Sequence, residues 1–514
     1  MQNMNRISSF SFFSVAVLVM IVNMTGCKKL LNTERQGAYT ETNYPYPGGS
    51  GPYDQYIFAA YNSLRDYSVH VDGFVAATSI RSDDADKGST PSDGGADLIS
   101  YDNFPVLPSS SRANALWTGY YGLINQCNTT LYQIGVNPNN IVATDDVKLQ
   151  TQAEAKFIRG YAYFMLVRFF GRVPRIDTLF QNIAAQSNIP QSSTADLYSF
   201  IENDLRFAAA YLPLTWDPRF IGRVTRGAAN GMLAKVYLTE GKWADAMGAA
   251  SAVITSGVYD LSTPYARIFS EDGENSKESV FEVQGRADAT NQTSQGIQYA
   301  QIQGVRGSGQ WDLGWGWNDP STQLEAAYEA NDPRKARTIL YTSTPTVPGI
   351  TIYGEVTPVG LPNPRYNHKV YTNPAVRTAV GNRFGWWMNV RILRYADVVL
   401  MYAEAANEMN NAGEARAKLE MVRARARQGA PAGTLPEVTA TDQATLRTAI
   451  RQERRVELGM EHDRFFDIVR WGISTTVLQA AGKTSFSGTR DNLLPIPQTQ
   501  IDISNGVLTQ NPGY

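Results

Sequence analysis

The segment Leu233-Ala-Lys-Val-Tyr-Leu-Thr-Glu-Gly-Lys-Trp-Ala-Asp-Ala246 carries the spacing that decides the fold of this chain. Ala234 and Ala246 are small and stand where two antiparallel helices must approach each other closely. Tyr237 and Trp243 are large enough to fill the space between the helices, and the glycine between them ends the first helix. The segment therefore predicts a pair of helices joined by a tight turn.

Further helix pairs are predicted on both sides of this segment. Its residue offsets are those of a tetratricopeptide repeat, and a looser copy spans Tyr395–Arg427 with its turn at Asn410–Gly413. Apolar periodicity predicts two more long helices, Arg112–Ile134 and Asp145–Phe170. Because repeated helix pairs stack and bury a continuous core, we predict a mainly α fold built on a tetratricopeptide-like scaffold.

Residues 271–390 have a different composition from the rest of the chain, rich in Gly, Pro, Thr, Asn and aromatic residues. Short segments such as Ser279–Gln284 and Gly349–Tyr353 have the residue types of strands. We predict a loop-rich insertion with short strands, carrying the ligand side, between helical regions at residues 54–270 and 391–514.

The N-terminus has the layout of a bacterial lipoprotein signal peptide over residues 1–26. Its apolar run, Phe10–Val22, is too short to span a bilayer, which takes about 20 residues. Two small residues precede Cys27, so we predict that Cys27 is acylated and that residues 27–53 form a tether. An ordinary secretory signal that ends near a cysteine is the alternative.

Charge and cysteine content exclude several classes of partner. The chain has 46 Lys and Arg against 48 Asp and Glu, which gives no electrostatic case for nucleic acid or a polybasic membrane patch. Only two cysteines exist, so lipidation of Cys27 leaves Cys127 without a disulfide partner. Three histidines in the whole chain give no support for a transition-metal cluster, and no cofactor is predicted.

The ligand-binding residues are predicted from the two loop-rich regions. Sugars stack on aromatic faces while polar side chains orient their hydroxyl groups, and peptides can use the same surface. Trp311, Trp315 and Trp317 alternate with glycines in the insertion, and residues 72–111 read as a long loop. The alternative is that these rings pack the insertion onto the helices. The predicted ligand contacts are Arg81, Asp84, Trp311, Trp315 and Trp317.

Two charged clusters have competing interpretations. Asp83, Asp84 and Asp86 lack the spacing of a calcium loop, but an irregular Ca²⁺ site there is an alternative to solvated charge or ligand contact. Glu453 and Glu457 lie one helical turn apart, as a glycosidase carboxylate pair could. Neighbouring arginines would lower the pKa of these carboxylates, whereas a general acid needs a raised pKa. We therefore predict a structural ion-pair network of Glu453, Arg454, Glu457, Arg464, Asp467 and Arg470.

Several long motifs of the chain resemble those of the SusD/RagB lipoproteins. Glu154–Pro174 resembles the signature helix of that family. Arg394–Glu408, Glu453–Trp471, Leu494–Gln498 and Asn511–Tyr514 follow in family order. The resemblance implies four tetratricopeptide-like helix pairs that support an irregular ligand-binding half.

The resemblance also implies a location and a partner. It implies an outer-membrane lipoprotein, facing the cell surface, that captures oligosaccharide and passes it to a SusC-like TonB-dependent transporter for nutrient uptake. One departure bears on orientation: family members often carry acidic residues directly after the acylated cysteine, whereas here Lys28-Lys-Leu-Leu-Asn-Thr precede Glu34. The alternatives are the same architecture binding peptides, and a lipid-anchored glycoside hydrolase.

Overall fold

The computed structural model describes residues 49–180 and 188–514. The predicted signal peptide at residues 1–26, the lipidation site Cys27 and most of the predicted tether lie outside the described residues. Within the two described ranges, no helix is both long and apolar enough to cross a membrane.

Helices dominate the first part of the described chain. They are α1 (Asp54–Ser63), α2 (Tyr67–His70), α3 (Asp72–Val75), α4 (Gly95–Asn103), α5 (Ser111–Gly135), α6 (Asp145–Phe170), α7 (Thr194–Tyr211), α8 (Arg226–Glu240) and α9 (Trp243–Ile254). The two long helices predicted from apolar periodicity are confirmed as α5 and α6.

Helix α6 is the central helix of the scaffold. The Thr144 hydroxyl accepts a hydrogen bond from the amide of Val147 and caps its start, and Gly171, with φ of 70°, ends it. All residues from Phe157 to Val167 are buried. Apolar periodicity alone predicts burial along one side of the helix. The burial is wider because α5 and α7 both pack against α6.

Short helices and paired strands make up the insertion and the segments that border it or pair with it, including one strand from the N-terminal region. The helices are α10 (Tyr265–Ile268), α11 (Tyr299–Gln303), α12 (Thr322–Ala327), α13 (Pro333–Thr338) and α14 (Pro374–Val380). The strands are β1 (Ala85–Gly88), β2 (Ser279–Val283), β3 (Trp317–Pro320), β4 (Ile339–Tyr341), β5 (Thr351–Ile352), β6 (Glu355–Val356), β7 (Arg365–Asn367) and β8 (Val390–Arg394).

These strands form antiparallel pairs and no larger sheet within the described residues: β1 with β3, β2 with β8, β4 with β7, and β5 with β6. The strands predicted near residues 279 and 351 correspond to β2 and β5. The pair β2–β8 joins the insertion to the scaffold, because Phe281 of β2 meets the ring of Phe157 on α6 at a centroid distance of 5.1 Å.

The chain ends in a second helical region. It comprises α15 (Tyr395–Glu408), α16 (Ala412–Ala426), α17 (Gln443–Glu457), α18 (Arg464–Arg470), α19 (Ser474–Ala480), α20 (Gly488–Asp491) and α21 (Gln498–Ile503). The repeat-like copy predicted after residue 395 is the pair α15–α16.

The predicted helix-pair scaffold is confirmed. Helix α8 packs against α7 and α9, and α9 packs against α15, so pairs from both ends of the sequence form one stack. Tyr237 is buried between helices, and its hydroxyl accepts a hydrogen bond from Nε of Arg206 at 3.0 Å. Trp243 is only half-buried, so it fills less of the space between the helices than its spacing suggested.

Candidate ligand-binding site

The prediction of a long loop over residues 72–111 is wrong. The segment contains α3, a π-helical turn at Ala76–Ile80, β1 and α4. Polar residues gave it the appearance of a loop, but many of them are buried against charged partners from the C-terminal helices.

Arg81 and Asp84, predicted to contact ligand, lie in the interior. Arg81 is fully buried: its guanidinium donates to the carbonyl oxygen of Asp491 and lies 4.1 Å from the centroid of the Phe465 ring. Asp84 is 1 % exposed and accepts a hydrogen bond from Nε of Arg455 at 2.7 Å. Because neither side chain reaches the surface, this part of the predicted site is corrected to an interior structural role.

Two of the three aspartates considered for calcium, Asp83 and Asp84, are held by arginines. Both carboxylate oxygens of Asp83 accept hydrogen bonds from Arg464 at 2.8 Å, and Arg455 approaches Asp83 at the same distance. Asp86 lies on β1 opposite Asp319. In residues 49–180 and 188–514, no cluster of three or more His, Cys, Asp or Glu could hold a metal ion. The guanidinium groups occupy the place that a cation would need.

The three predicted tryptophans differ in exposure. Trp311 and Trp317 are each 7 % exposed, whereas Trp315 is half-buried. The rings of Trp315 and Trp317 meet edge to face, with centroids 4.8 Å apart. Trp317 therefore supports Trp315 from below, and Trp315 is the ring of this segment that reaches the surface.

Close backbone packing explains the glycines between these tryptophans. A Cβ atom at Gly314 would lie 2.1 Å from the carbonyl oxygen of Gln301, so no larger residue fits. Gly316 has φ of +72°, in the left-handed region that favours glycine. The glycines thus allow the segment to pack closely against neighbouring backbone.

A second surface ring comes from the adjacent pair Trp386 and Trp387. Trp387 is buried, while Trp386 is half-buried, so only one of the two rings reaches the surface. Gln301 links Trp386 to Trp315: its side-chain oxygen accepts from Nε1 of Trp386 at 2.8 Å, and its carbonyl oxygen accepts from the Trp315 amide at 2.9 Å. We call Trp315 and Trp386 the aromatic platform.

Charged side chains surround Trp317, whose ring contacts Trp315 of the aromatic platform. Nε1 of Trp317 donates to Asp93 at 3.0 Å, and Arg306 forms an ion pair with the same carboxylate. The guanidinium of Arg112 lies 5.5 Å from the centroid of the Trp317 ring. The sequence singled out the tryptophans but missed Gln301 and Arg112, because no local pattern places them beside an indole ring.

The six residues predicted to form an ion-pair network all engage in ion pairs. Arg454 pairs with Asp397 at 2.7 Å and with Asp467 at 3.2 Å, and Arg470 pairs with Asp467 at 2.8 Å. Arg464 pairs with Asp83 at 2.8 Å. These pairs join α17 and α18 to α15 and to the segment before β1.

Glu453 and Glu457 are both fully buried. Arg334 contacts both carboxylates, at 3.0 Å in the case of Glu457, and Arg423 pairs with Glu453 at 2.8 Å. Arg394 pairs with Glu457 at 3.1 Å. Two buried carboxylates already occupied by arginines have no room for a glycosidic bond, so they do not form a glycosidase pair.

The pKa of Glu457 follows from these contacts. Burial alone would raise it, but the charges of Arg425, Arg394 and Arg334 outweigh burial and hold the pKa of Glu457 well below its usual range. A general acid at neutral pH needs the opposite shift.

Two open grooves lie on the helical part of the structure, with volumes of about 610 and 460 Å³. In the larger groove, the guanidinium of Arg223 covers the ring of Trp216 at 4.1 Å, and Nε1 of Trp216 donates to a backbone carbonyl. That indole is already covered by a cation of the protein, whereas among the cation–ring contacts of the described residues none falls on Trp315 or Trp386. We therefore take the aromatic platform as the candidate site.

The fold and the site define a binding protein in which stacked helix pairs carry a loop-built aromatic surface. A model described as the SusD family matches residues 277–514, and one described as starch-binding proteins associating with the outer membrane matches residues 90–238. The chain belongs to the SusD/RagB family.

Individual relatives cover most of the chain. SusD-like protein P2 of Formosa agariphila is 28% identical over 453 residues, 85% of this chain and 87% of the relative. A SusD-like protein of Bacteroides ovatus is 27% identical over 399 residues, 72% of this chain and 67% of the relative. The solved structure of a laminarin-binding SusD-like protein is 25% identical with a TM-score of 0.75, over 90% of this chain and 99% of that one.

Proposed function

We propose that this chain is a lipid-anchored outer-membrane protein that binds an oligosaccharide on the aromatic platform and passes it to a SusC-like TonB-dependent transporter. The observation that carries the proposal is the pair of half-buried rings, Trp315 and Trp386, which Gln301 links through the Trp315 backbone amide and the Trp386 indole N–H. The family supports it, since the names of two matches describe laminarin binding and starch binding.

The chemistry of sugars suits this arrangement. A pyranose ring presents patches of C–H groups that pack on an indole face, while its hydroxyl groups need oriented donors and acceptors. Gln301, Asp93 and Arg306 provide such groups around the aromatic platform. Because protein contacts fix the two indoles before ligand arrives, little side-chain ordering is left for the binding step.

We expect Trp315→Ala and Trp386→Ala each to weaken glycan binding by about 0.5–1.5 kcal/mol, because each removes one stacking surface. Calorimetry with laminarin and soluble starch measures the effect, after affinity electrophoresis on a wider polysaccharide panel has identified a ligand. Trp243→Ala, a half-buried tryptophan of the helical scaffold, is the matched control and should leave affinity unchanged.

Equal affinities for the wild-type protein and both platform variants would place the site elsewhere. Peptide binding is the competing function of the same architecture, so the panel includes mixed peptides. If the protein bound peptides selectively and Trp386→Ala lost that binding, the aromatic platform would remain the binding site, but its ligand would be a peptide and not a glycan. Turnover of any glycan by the pure protein would contradict the proposed role as a binding protein.

Anchoring is tested at Cys27, which lies outside the described residues. We expect Cys27→Ala to leave the membrane fraction, because acyl chains supply the membrane affinity of a lipoprotein. Fractionation after a high-salt wash, with Cys127→Ala as the control, measures the shift. Retention of the Cys27→Ala protein after the wash would indicate that partner contacts, and not acyl chains, hold it at the membrane.

The transporter partnership has its own test. Purification of the full-length lipoprotein from detergent-solubilised native membranes should bring a TonB-dependent transporter with it. The absence of any such transporter under mild detergent conditions would contradict this part of the proposal.

A further inference from the structure

We infer that the oligosaccharide bound at the aromatic platform is uncharged, without uronate or sulfate groups. The inference rests on the proposed function and adds the chemical class of its ligand. It follows from the ion pairs that four arginines near these tryptophans, Arg112, Arg286, Arg306 and Arg383, form with carboxylates of the protein itself.

Arg112, beside the ring of Trp317, has two carboxylate partners. Its Nε lies 2.8 Å from Asp72, and Nη1 lies 3.3 Å from Asp97. Burial alone would lower the pKa of Arg112, but the charge of Asp72, the hydrogen bond to it and the charge of Asp97 raise the pKa above its ordinary value. The guanidinium therefore stays charged, and that charge is already compensated.

Arg306 shares the carboxylate of Asp93 with the Trp317 indole. The Ser89 hydroxyl also donates to Asp93, at 2.8 Å. Burial alone would raise the pKa of Asp93, but these hydrogen bonds and the charge of Arg306 lower it below its usual value. Asp93 is thus a fixed negative charge beneath the platform.

Near the platform tryptophans in the sequence, exposed arginine charges are likewise compensated by aspartates. Arg383, three residues before Trp386, pairs with Asp312, which lies three residues before Trp315. On the neighbouring loop Arg286 pairs with Asp288 at 3.4 Å. All four of these charged side chains are more than 40 % exposed, so a bound glycan would meet cation and anion together.

One further arginine reaches the same loop. Arg65 donates to the carbonyl oxygen of Gln295 at 3.1 Å, and the carboxylate of Asp66 lies next to it in the chain. Arg65 therefore also has a negative group beside it.

Recognition of a sulfate or uronate requires arginine or lysine donors that are free to form charge-assisted hydrogen bonds. At this site an anionic sugar would have to break an existing ion pair, and it would then face the released aspartate. Neutral hydroxyl groups meet no such penalty, because they can donate to the aspartates and accept from the arginines. The charge pattern thus favours neutral sugars and disfavours anionic ones.

The first test compares polymers that differ only in charge. Affinity electrophoresis of the wild-type protein uses laminarin, soluble starch and dextran beside their sulfated forms, with alginate as a uronate polymer, at 50 and 500 mM NaCl. We expect retardation by one or more uncharged polymers, with less than about a twofold effect of salt, because no ion pair with ligand forms.

Two results contradict the proposals in different ways. Retardation by a sulfated or uronate polymer that disappears at high salt would overturn the inference while leaving glycan binding intact. A lack of binding to every charged and uncharged polymer of a wide panel would overturn the proposed function itself.

A gain-of-function variant supplies an independent test. Asp312→Asn removes the partner of Arg383 without touching the core, and we expect it to raise affinity for sulfated dextran by about two- to fivefold at low salt. Asp217→Asn is the matched control: it breaks the exposed pair with Arg219 on the helical part and changes net charge equally. Equal affinities of the two variants for sulfated dextran would contradict the inference.

Discussion

Glu457→Gln is expected to lower the free energy of unfolding by about 3–5 kcal/mol. The substitution keeps the size of the side chain but removes the negative charge that Arg334, Arg394 and Arg425 share. These guanidinium groups would remain buried with less compensation, and that loss is the source of the cost. Urea denaturation followed by circular dichroism measures it.

The pH dependence of stability provides a second readout of the same residue. Because the pKa of Glu457 is lowered in the folded protein, its ionised form contributes stability above the unfolded pKa of about 4.3. That contribution is lost as the pH falls below this value towards the folded pKa. We therefore expect wild-type stability to fall more steeply than that of Glu457→Gln between about pH 4.5 and 3.

Glu420→Gln is the matched control for the Glu457 experiment. Glu420 pairs with Arg427, and both side chains remain more than 25 % exposed, so the pair is solvated. We expect a cost of about 0–1 kcal/mol. A cost for Glu457→Gln as small as that of the control would mean that the buried network does not stabilise the fold.

Trp317→Ala is expected to lower the free energy of unfolding by about 3–5 kcal/mol, since it truncates a large buried side chain. The ring supports Trp315, donates to Asp93 and lies under the guanidinium of Arg112. Thermal and urea unfolding measure the loss. Glycan affinity should also fall, because Trp315 loses the ring that holds it.

Trp315→Ala separates the two roles within the same segment. Its ring is half-buried, so we expect a clearly smaller loss of stability together with a direct loss of glycan affinity. If Trp317→Ala were as stable as the wild type, the assignment of Trp317 as the support of the platform would be contradicted. Trp317→Phe retains a ring but loses the hydrogen bond to Asp93. Its loss of stability, compared with that of Trp317→Ala, therefore separates the contribution of ring packing from that of the hydrogen bond.

Local sequence patterns predicted the helical scaffold well. Helix α6 has the predicted bounds, Asp145–Phe170, because apolar periodicity, a capping threonine and a terminal glycine all act within one helix. The repeat at α8–α9 could also be predicted from the sequence, because small and large residues at fixed offsets specify how two adjacent helices pack.

The same reasoning failed where a residue depends on partners far away in the sequence. Arg81 and Asp84 looked like loop residues, yet Arg81 is bonded across 410 positions and Asp84 across 371. When the partner of a charged residue lies so far away in the chain, the local sequence does not distinguish a residue in a buried ion pair from a solvated one. Likewise, the tryptophans could be found by composition, but which of Trp386 and Trp387 reaches the surface depends on packing.

The long-range bonds of the segment before β1 also determine when the protein can finish folding. Arg81 and Asp83 leave the ribosome roughly four hundred residues before Asp491 and Arg464, which are their partners in the folded protein. Until those last helices are synthesised, burial of Arg81 and Asp83 would leave their charged groups without these partners, which is costly. The segment before β1 therefore reaches its final contacts only after synthesis of the last helices, and a chain truncated before residue 464 lacks them.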